Sequence, residues 1–232
     1  MDNFSVIIPV YNEADLLFYS ISKLVNELKQ IRSYGWEIIL IENGSTDQSW
    51  EICQKLCNFF PEYIVLLKIC KPNYGFALKK GIMSAKFKNI VIANVDFWDI
   101  PFISKSLRLL ESCDMVVGSK TLIKSKDLRP VYRRVITYWF NVFLRSIYNF
   151  PGTDTHGLKA FKKQSLMPIV TNLYPLKELF DTQMVLTACK NDLIYTEIPI
   201  SVREVRSTRY SFFRRIINLI YDLAIIFKNR YL

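Results

Sequence analysis

Four short apolar runs rich in β-branched residues, each breaking off into a polar turn, constrain this chain more than any other feature. Residues 4–9, 36–41, 63–69 and the run that begins at Ile90 read as strands buried largely on both faces. Between them lie segments of helical period. Leu17, Ile21, Leu24, Leu28 and Ile31 recur at spacings of three and four, which predicts an amphipathic helix over residues 14–31. Glu42-Asn43-Gly44-Ser45-Thr46-Asp47 supplies capping residues ahead of Trp50, Cys53 and Leu56, and Asn73-Tyr74-Gly75 opens a helix to about Phe87. Regular alternation of strand and helix predicts the α/β class: a doubly wound, mostly parallel sheet with helices on both faces.

The fourth run matters for function as well. It passes directly into Asn94, Asp96 and Asp99, polar groups that a buried strand cannot accommodate. In open α/β sheets ligands sit beyond the carboxyl ends of the strands. These residues therefore read either as a binding edge or as a turn with solvated acids.

At 232 residues the chain can bury a full core as one domain with an elaborated second half. Its charge is uneven. Residues 1–119 carry 12 basic and 13 acidic side chains, a net of −1, whereas residues 120–232 carry 19 and 8, a net of +11. The second half is suited to something anionic. Only seven glycines occur, against about 16 at average usage, and no GxGxxG or Walker loop is among them. A nucleotide would have to be held by strand-end side chains with a metal or cations. His156 is the only histidine, so neither a histidine metal site nor a Ser/His/Asp triad is easily built. Five cysteines without a CxxC pair suit buried thiols in a reducing compartment. No signal peptide and no spanning segment of about 18 apolar residues is expected.

Two basic-flanked segments stand out in the second half. Residues 131–148 form a predicted helix whose narrow polar stripe is Arg134, Thr137, Asn141 and Arg145. Residues 214–232 place Arg215, Asn218 and Asp222 on a similar stripe. Wide apolar arcs flanked by Arg, Lys, Trp and Tyr suit helices lying in a membrane interface, with core or dimer helices as the alternative. Nucleic acid is not expected, because the aromatics continue apolar faces rather than a polar platform.

Eight motifs in order carry a family resemblance. Ser5-Val6-Ile7-Ile8-Pro9-Val10-Tyr11-Asn12-Glu13, the Glu-Asn-Gly-Ser-Thr-Asp turn, Asn73-Tyr74-Gly75 and Asn94-Val95-Asp96 come first. Val116 to Lys120, Asp154 to Lys159, Phe180-Asp181-Thr182-Gln183 and Glu197 to Ile200 follow. The chain resembles family-2 glycosyltransferases, and among them the dolichol-phosphate mannose and glucose synthases, over about residues 4–211. The resemblance implies a GT-A nucleotide-diphospho-sugar transferase fold and an inverting transfer of hexose from a nucleotide-diphosphate sugar to a polyprenyl phosphate. It implies that Pro9, Tyr11 and Glu13 contact the base and Glu42 the base or ribose, with Asn43, Lys79, Asn94 and Asp96 completing the donor site. Asp96 and Asp181 are the implied catalytic residues, Asp181 being the candidate general base if the reaction requires one. Asp96 with Asn94, and Asp99 if the turn brings it round, would hold Mg²⁺ or Mn²⁺. The acceptor side is expected to use Arg133, Arg134, Lys159 and Arg206. Residues 1–119 would form the nucleotide-sugar half, residues 120–211 the acceptor half, and residues 212–232 an amphipathic helix holding the protein to the cytoplasmic side of a membrane.

Three departures bear on the donor site. The family's first Asp-Asp is Glu42-Asn43, its Asp-x-Asp is Asn94-Val95-Asp96, and the acid expected at Gln183 is an amide. Each removes or displaces negative charge, which predicts a weakly held metal. A glycan or lipopolysaccharide acceptor, a non-catalytic nucleotide-sugar binder, and a homo-oligomeric assembly remain alternatives to be separated by assay.

Overall fold

The computed structural model describes residues 3–31, 34–202, 218 and 221–226. Seven strands form one sheet: β1 (Phe4–Val10), β2 (Trp36–Asn43), β3 (Ile64–Ile69), β4 (Asn89–Ile92), β5 (Met115–Ser119), β7 (Lys159–Lys162) and β8 (Tyr195–Pro199). Their order is β3-β2-β1-β4-β7-β5-β8. A small ladder of β6 (Lys126–Asp127) with β9 (Ser201–Val202) stands apart. The helices are α1 (Ala14–Lys29), α2 (Ser49–Phe59), α3 (Tyr74–Ser84), α4 (Ile100–Leu109), α5 (Val131–Tyr148), α6 (Lys163–Asn172) and α7 (Phe180–Lys190). The α/β class and the mostly parallel sheet follow the alternation in the sequence.

Strand periodicity sorts the core into two layers. Phe4, Val6, Ile8 and Val10 of β1 face a cluster with Leu17, Leu24, Leu40, Val91 and Phe102. Ile7, Ile39, Ile41, Ile90 and Ile92 face the other, with Leu78, Phe161, Leu166, Phe180 and Val185. Within β1 the buried polar residue is Ser5, and it is satisfied: its hydroxyl donates to Glu37 Oε1 at 2.6 Å. Gly81 lets α3 lie close to the sheet, since a Cβ there would come within 2.7 Å of Ile7 Cγ2.

The sheet departs from the expected pattern at one place. β7 runs antiparallel between β4 and β5, pairing Ile92 and Val117 with Lys159. Elsewhere the strand-to-helix reading needs only end adjustments. β2 continues through Glu42 and Asn43, so these residues finish a strand rather than start a turn. α3 stops at Ser84 instead of Phe87. α5 has the bounds its periodicity predicts. Of residues 214–232, only 218 and 221–226 are described, and these are helical.

The β7 insertion depends on a glycine. A Cβ on Gly157 would lie 1.7 Å from the Gly118 carbonyl oxygen, where the Gly118 N–H also donates to Leu158 O at 2.7 Å. Gly157→Ala is expected to destabilise the fold by roughly 1–3 kcal/mol or more, as overpacking against backbone does. The melting temperature should fall about 2–4 °C per kcal/mol in a chain of this size. Gly35→Ala meets only the flexible Asn3 side chain at 3.0 Å and should cost well under half as much by the same thermal melt.

Candidate functional site

The carboxyl ends of β1, β2 and β4 share one edge of the sheet, and their loops are laced together by side chains. Asn12 has φ 53°, a left-handed conformation that asparagine tolerates better than most residues. Its N–H donates to Ser45 Oγ at 3.1 Å, and its Oδ1 accepts from the Thr46 N–H at 2.8 Å. The Glu13 N–H donates to Ser49 Oγ at 2.8 Å and the Ala14 N–H to Asp47 Oδ2 at 3.1 Å. The polar turn after β2 is therefore a brace that fixes where Tyr11 and Glu13 stand.

Two expected donor residues are occupied inside this brace. Glu42 is buried and accepts from the Ser45 N–H through Oε1. Asn43 is also buried, and its Oδ1 accepts from the Asn73 N–H at 2.8 Å. Asn73 in turn caps α3 by accepting from the Phe76 N–H at 2.9 Å, and its Nδ2 donates to Pro175 O at 3.0 Å. Lys79 is a clear correction. Its ammonium donates to Thr171 O at 2.6 Å and Leu173 O at 3.2 Å, carbonyls at the end of α6. A cation there satisfies helix-end acceptors, which removes it from the expected donor set.

At the end of β4, Asn94 and Phe97 exchange backbone hydrogen bonds of 3.0 and 3.2 Å. The resulting turn exposes Asn94 and Asp96 while Val95 points into the core. Pro9 and Tyr11 are half-buried at the end of β1, the strand that pairs with β4. Asp99 does not join Asp96. It is the N-cap of α4, where its Oδ1 accepts from the Phe102 N–H. Trp98 is likewise structural, with Nε1 donating to Ser20 Oγ at 2.8 Å. Among the described residues, no three His, Cys, Asp or Glu side chains gather into a metal-holding group. Asp96 and Asn94 still fit a hard divalent ion of the kind that completes its shell with substrate phosphate oxygens.

Behind this edge lies a buried ionic cluster. Asp181, 5% exposed in the first turn of α7, accepts from the Tyr74 hydroxyl at 3.0 Å and pairs with Lys159 Nζ at 3.2 Å. Burial, then the Asp181 charge and hydrogen bond, push the Tyr74 phenol well above its ordinary pKa, so it stays a donor. Lys159 also donates to Gly157 O at 2.8 Å and is 0% exposed. The expectation that Lys159 touches an acceptor is thereby corrected: its ammonium is enclosed and committed to Asp181. β7 explains the outcome, since a strand running the reverse way starts at the edge and carries Lys159 into the interior.

A second pair sits beside it. Lys120 Nζ contacts Asp154 Oδ2 at 2.8 Å, and the His156 N–H donates to Asp154 Oδ1 at 2.9 Å. Glu197 of β8 holds the same loop by accepting from the Thr153 N–H at 2.8 Å and the Asp154 N–H at 3.1 Å. Burial pushes the Asp154 carboxyl up, but the Lys120 charge and the hydrogen bonds from Lys120 and His156 outweigh it and hold it below the usual range. Tyr74, Lys120, Asp154 and Glu197 belong to motifs visible in the sequence, yet nothing in their spacing shows that they converge. Gln183 is fully buried, with neither amide atom hydrogen-bonded in the described structure.

The α5 helix borders the site and leaves an apolar face to solvent. Val131, Tyr132, Val135, Ile136, Tyr138 and Trp139 are each between 48% and 63% exposed. Arg134 and Arg145 are exposed on the same helix, with Arg133 partly so. Arg206 and the arginines at 214 and 215 lie outside the described residues. The described part of the C-terminal helix turns Asp222 and Ile226 into the protein, where Ile226 joins the second core layer.

The family model described as Glycosyl transferase family 2 matches residues 5–168. Dolichyl-phosphate beta-glucosyltransferase of Saccharomyces cerevisiae is 24% identical over 96% of this chain and 73% of its own length. Undecaprenyl-phosphate 4-deoxy-4-formamido-L-arabinose transferase of Pectobacterium atrosepticum is 24% identical over 95% of this chain and 66% of its own. Among solved structures, a mannosyltransferase from Pyrobaculum calidifontis in complex with GDP-Man and Mn²⁺ superposes with a TM-score of 0.66. It is 19% identical and covers 98% of this chain, which spans 64% of that structure. Glucosyl-3-phosphoglycerate synthase from Mycobacterium tuberculosis, in complex with Mn²⁺, UDP and glucosyl-3-phosphoglycerate, gives 0.64 at 17% identity, covering 95% of this chain and 80% of its own. These likenesses identify the GT-A fold.

The Lys120–Asp154 pair yields a pH-dependent expectation. A carboxyl whose folded pKa lies below its unfolded value stabilises the fold above the ordinary carboxylate range, and that contribution fades as pH falls through the folded value. Asp154→Asn should cost about 3–5 kcal/mol at pH 7, because it strands a buried ammonium. The gap between the two proteins in urea denaturation should narrow as pH is lowered from 6 to 3.

Proposed function

The chain belongs to glycosyl transferase family 2, and we propose that it transfers a hexose from a nucleotide-diphosphate sugar to a polyprenyl phosphate at the cytoplasmic face of a membrane. The observation that carries the acceptor half of this reading is the exposed aromatic and apolar face of α5, flanked by arginines, beside the carboxyl edge of the sheet. A face of this composition suits the headgroup region, where Trp and Tyr sit at the boundary and Arg meets phosphate. Relatives named for dolichyl and undecaprenyl phosphates support the same acceptor class. No helix among the described residues is long and apolar enough to cross a membrane, and peripheral attachment through α5 requires none.

The chemistry follows from the acceptor. A phosphate oxygen is already anionic, so it attacks the anomeric carbon without a general base, which a sugar hydroxyl would need. The new bond from the acceptor phosphate oxygen to the anomeric carbon forms as the bond from that carbon to the diphosphate oxygen breaks on the opposite face, and the configuration inverts. Tyr11 and Glu13, fixed by the Ser45–Ser49 brace, would border the base, with Pro9 beneath them. Asp96 and Asn94 would hold a divalent cation, Mg²⁺ or Mn²⁺, which supplies charge neutralisation to the departing diphosphate. Arg133, Arg134 and Arg206 would attract and seat the acceptor phosphate. Asp181, held by Lys159 and Tyr74, lines the interior side of the reacting centre and fixes its shape.

The deciding assay offers a panel of nucleotide sugars with Mn²⁺ to the purified chain, using polyprenyl phosphate in one arm and oligosaccharides in the other. A lipid-linked sugar is expected; product on the oligosaccharide alone, or none in either arm, overturns the reading.

Two variants at the end of β4 test the donor side. Asp96→Ala should lower transfer by about 10²-fold or more, the scale of losing one preorganised charge partner. Near-native turnover by the folded variant would remove Asp96 from the site. Asn94→Asp should shift the metal titration of activity to lower concentration, since the ion neutralises both carboxylates. Without metal, the same change should weaken donor binding by repelling the diphosphate.

On the acceptor side, Ile136→Glu and Trp139→Glu should each weaken binding to anionic vesicles by at least about tenfold. Burying one such side chain is worth about 1.5–3 kcal/mol. Donor binding, read by calorimetry, should be unchanged in both.

A further inference from the structure

Helix α7 begins without a cap of its own. Its N-cap position is Leu179, which has no side chain able to accept a hydrogen bond. The first N–H groups of a helix need acceptors, and the positive end of the helix favours an anion. Here the acceptor comes from 43 residues further along the chain. Asp222, 1% exposed, accepts through one oxygen, Oδ2, from the Glu178 N–H at 2.7 Å and the Leu179 N–H at 3.0 Å. Asn218, one helical turn earlier, reaches Glu178 Oε1 at 3.4 Å.

The loop held in this way is bonded to the loop that opens α3. Its Leu176 O accepts from the Gly75 N–H at 3.0 Å, and its Pro175 O accepts from Asn73 Nδ2 at 3.0 Å. A Cβ on Gly75 would lie 2.3 Å from Leu176 O, so the two loops are in direct backbone contact. Two residues beyond the capped Leu179 comes Asp181, bonded to Tyr74 of the same donor-side loop and paired with Lys159. Everything that fixes the start of α7 therefore fixes Asp181.

We infer that Asp222 is a positioning residue, through which the C-terminal helix sets the place of Asp181 and the loop beside it in the reacting centre. The inference rests on the transfer reaction proposed above. It gives the C-terminal segment a role inside the site: Asn218 and Asp222 of the polar stripe are directed to the start of the helix that carries Asp181. Displacements of an ångström at a reacting centre are costly even when their cause is remote.

The test uses the full chain and the transfer assay. Asp222→Ala should lower kcat by about tenfold or more while leaving the donor KM within about twofold, because the base-binding brace at Ser45–Ser49 is untouched. Asp222→Asn keeps an acceptor oxygen in the same place and should recover kcat to within about threefold of native. Should Asp222→Ala fail to fold, Asp222→Ser replaces it. Hydrogen exchange supplies an arm independent of catalysis: amides of residues 178–183 should exchange faster in Asp222→Ala, while those of β1 and β2 keep their protection. An unchanged kcat overturns the inference, as does a kcat that falls only in proportion to the folded fraction read by circular dichroism, because lost folded protein lowers apparent kcat and leaves KM alone. Unchanged exchange at residues 178–183 overturns it too. A native chain that transfers no sugar instead fails the proposed function, and the exchange arm then decides the position of α7 alone.

Discussion

Every loop that leaves this sheet at its carboxyl edge must find hydrogen-bond partners away from the ladder, and the site is the set of solutions to that requirement. Buried backbone N–H and C=O groups are costly when unpaired. The chain meets the demand with side chains of neighbouring loops rather than with regular structure. Ser45, Asp47 and Ser49 satisfy the β1–α1 loop, Asn43 satisfies the loop before α3, and Glu197 satisfies residues 153 and 154. The geometry offered to a donor is thus set by a mesh in which each loop is held by another.

That mesh explains what could be read from the residues and what could not. Strands and amphipathic helices are written in local periodicity, so β1, α1 and α5 are legible, the last to its end residues. Strand-end polar residues are legible as an edge. Their division of labour is not, because it depends on partners far along the chain. Glu42, Asn43 and Lys79 look like ligand contacts in sequence, but in space they hold turns and carbonyls together. Asp99 reads as a possible ligand in sequence, and the Phe102 N–H three residues on, in the first turn of α4, takes it as a cap. The reversal of β7 leaves no mark in the four residues Lys159–Lys162, and it is what moved Lys159 from the surface to the interior.

Charge is distributed between the two halves in a way suited to transfer between phosphates. At the donor edge negative charge is thinned, with Asn94 and Gln183 where the family resemblance leads one to expect acids. Behind it, Lys120 and Lys159 are enclosed by Asp154 and Asp181. Such pairs add little net stability, since desolvation offsets most of their attraction. What they do provide is fixed polarity in a site that water does not reorganise.

The reversed strand also governs the order in which the molecule can assemble. β1, β2 and β3 are joined by helix crossovers between adjacent strands, so their contacts close short stretches of chain, whereas β4 returns to β1 by pairing Asn89 with Phe4. β7 pairs with β4 some seventy residues earlier and with β5 some forty earlier, filling the gap between them. Until it inserts, β5 and β8 have no connection to the rest of the sheet. Closing long loops for a four-residue strand is entropically expensive and weakly rewarded until the flanking layers are present. The β1–β3 unit is therefore the early-forming one, and the half that carries β5, β7 and β8 is completed on its template.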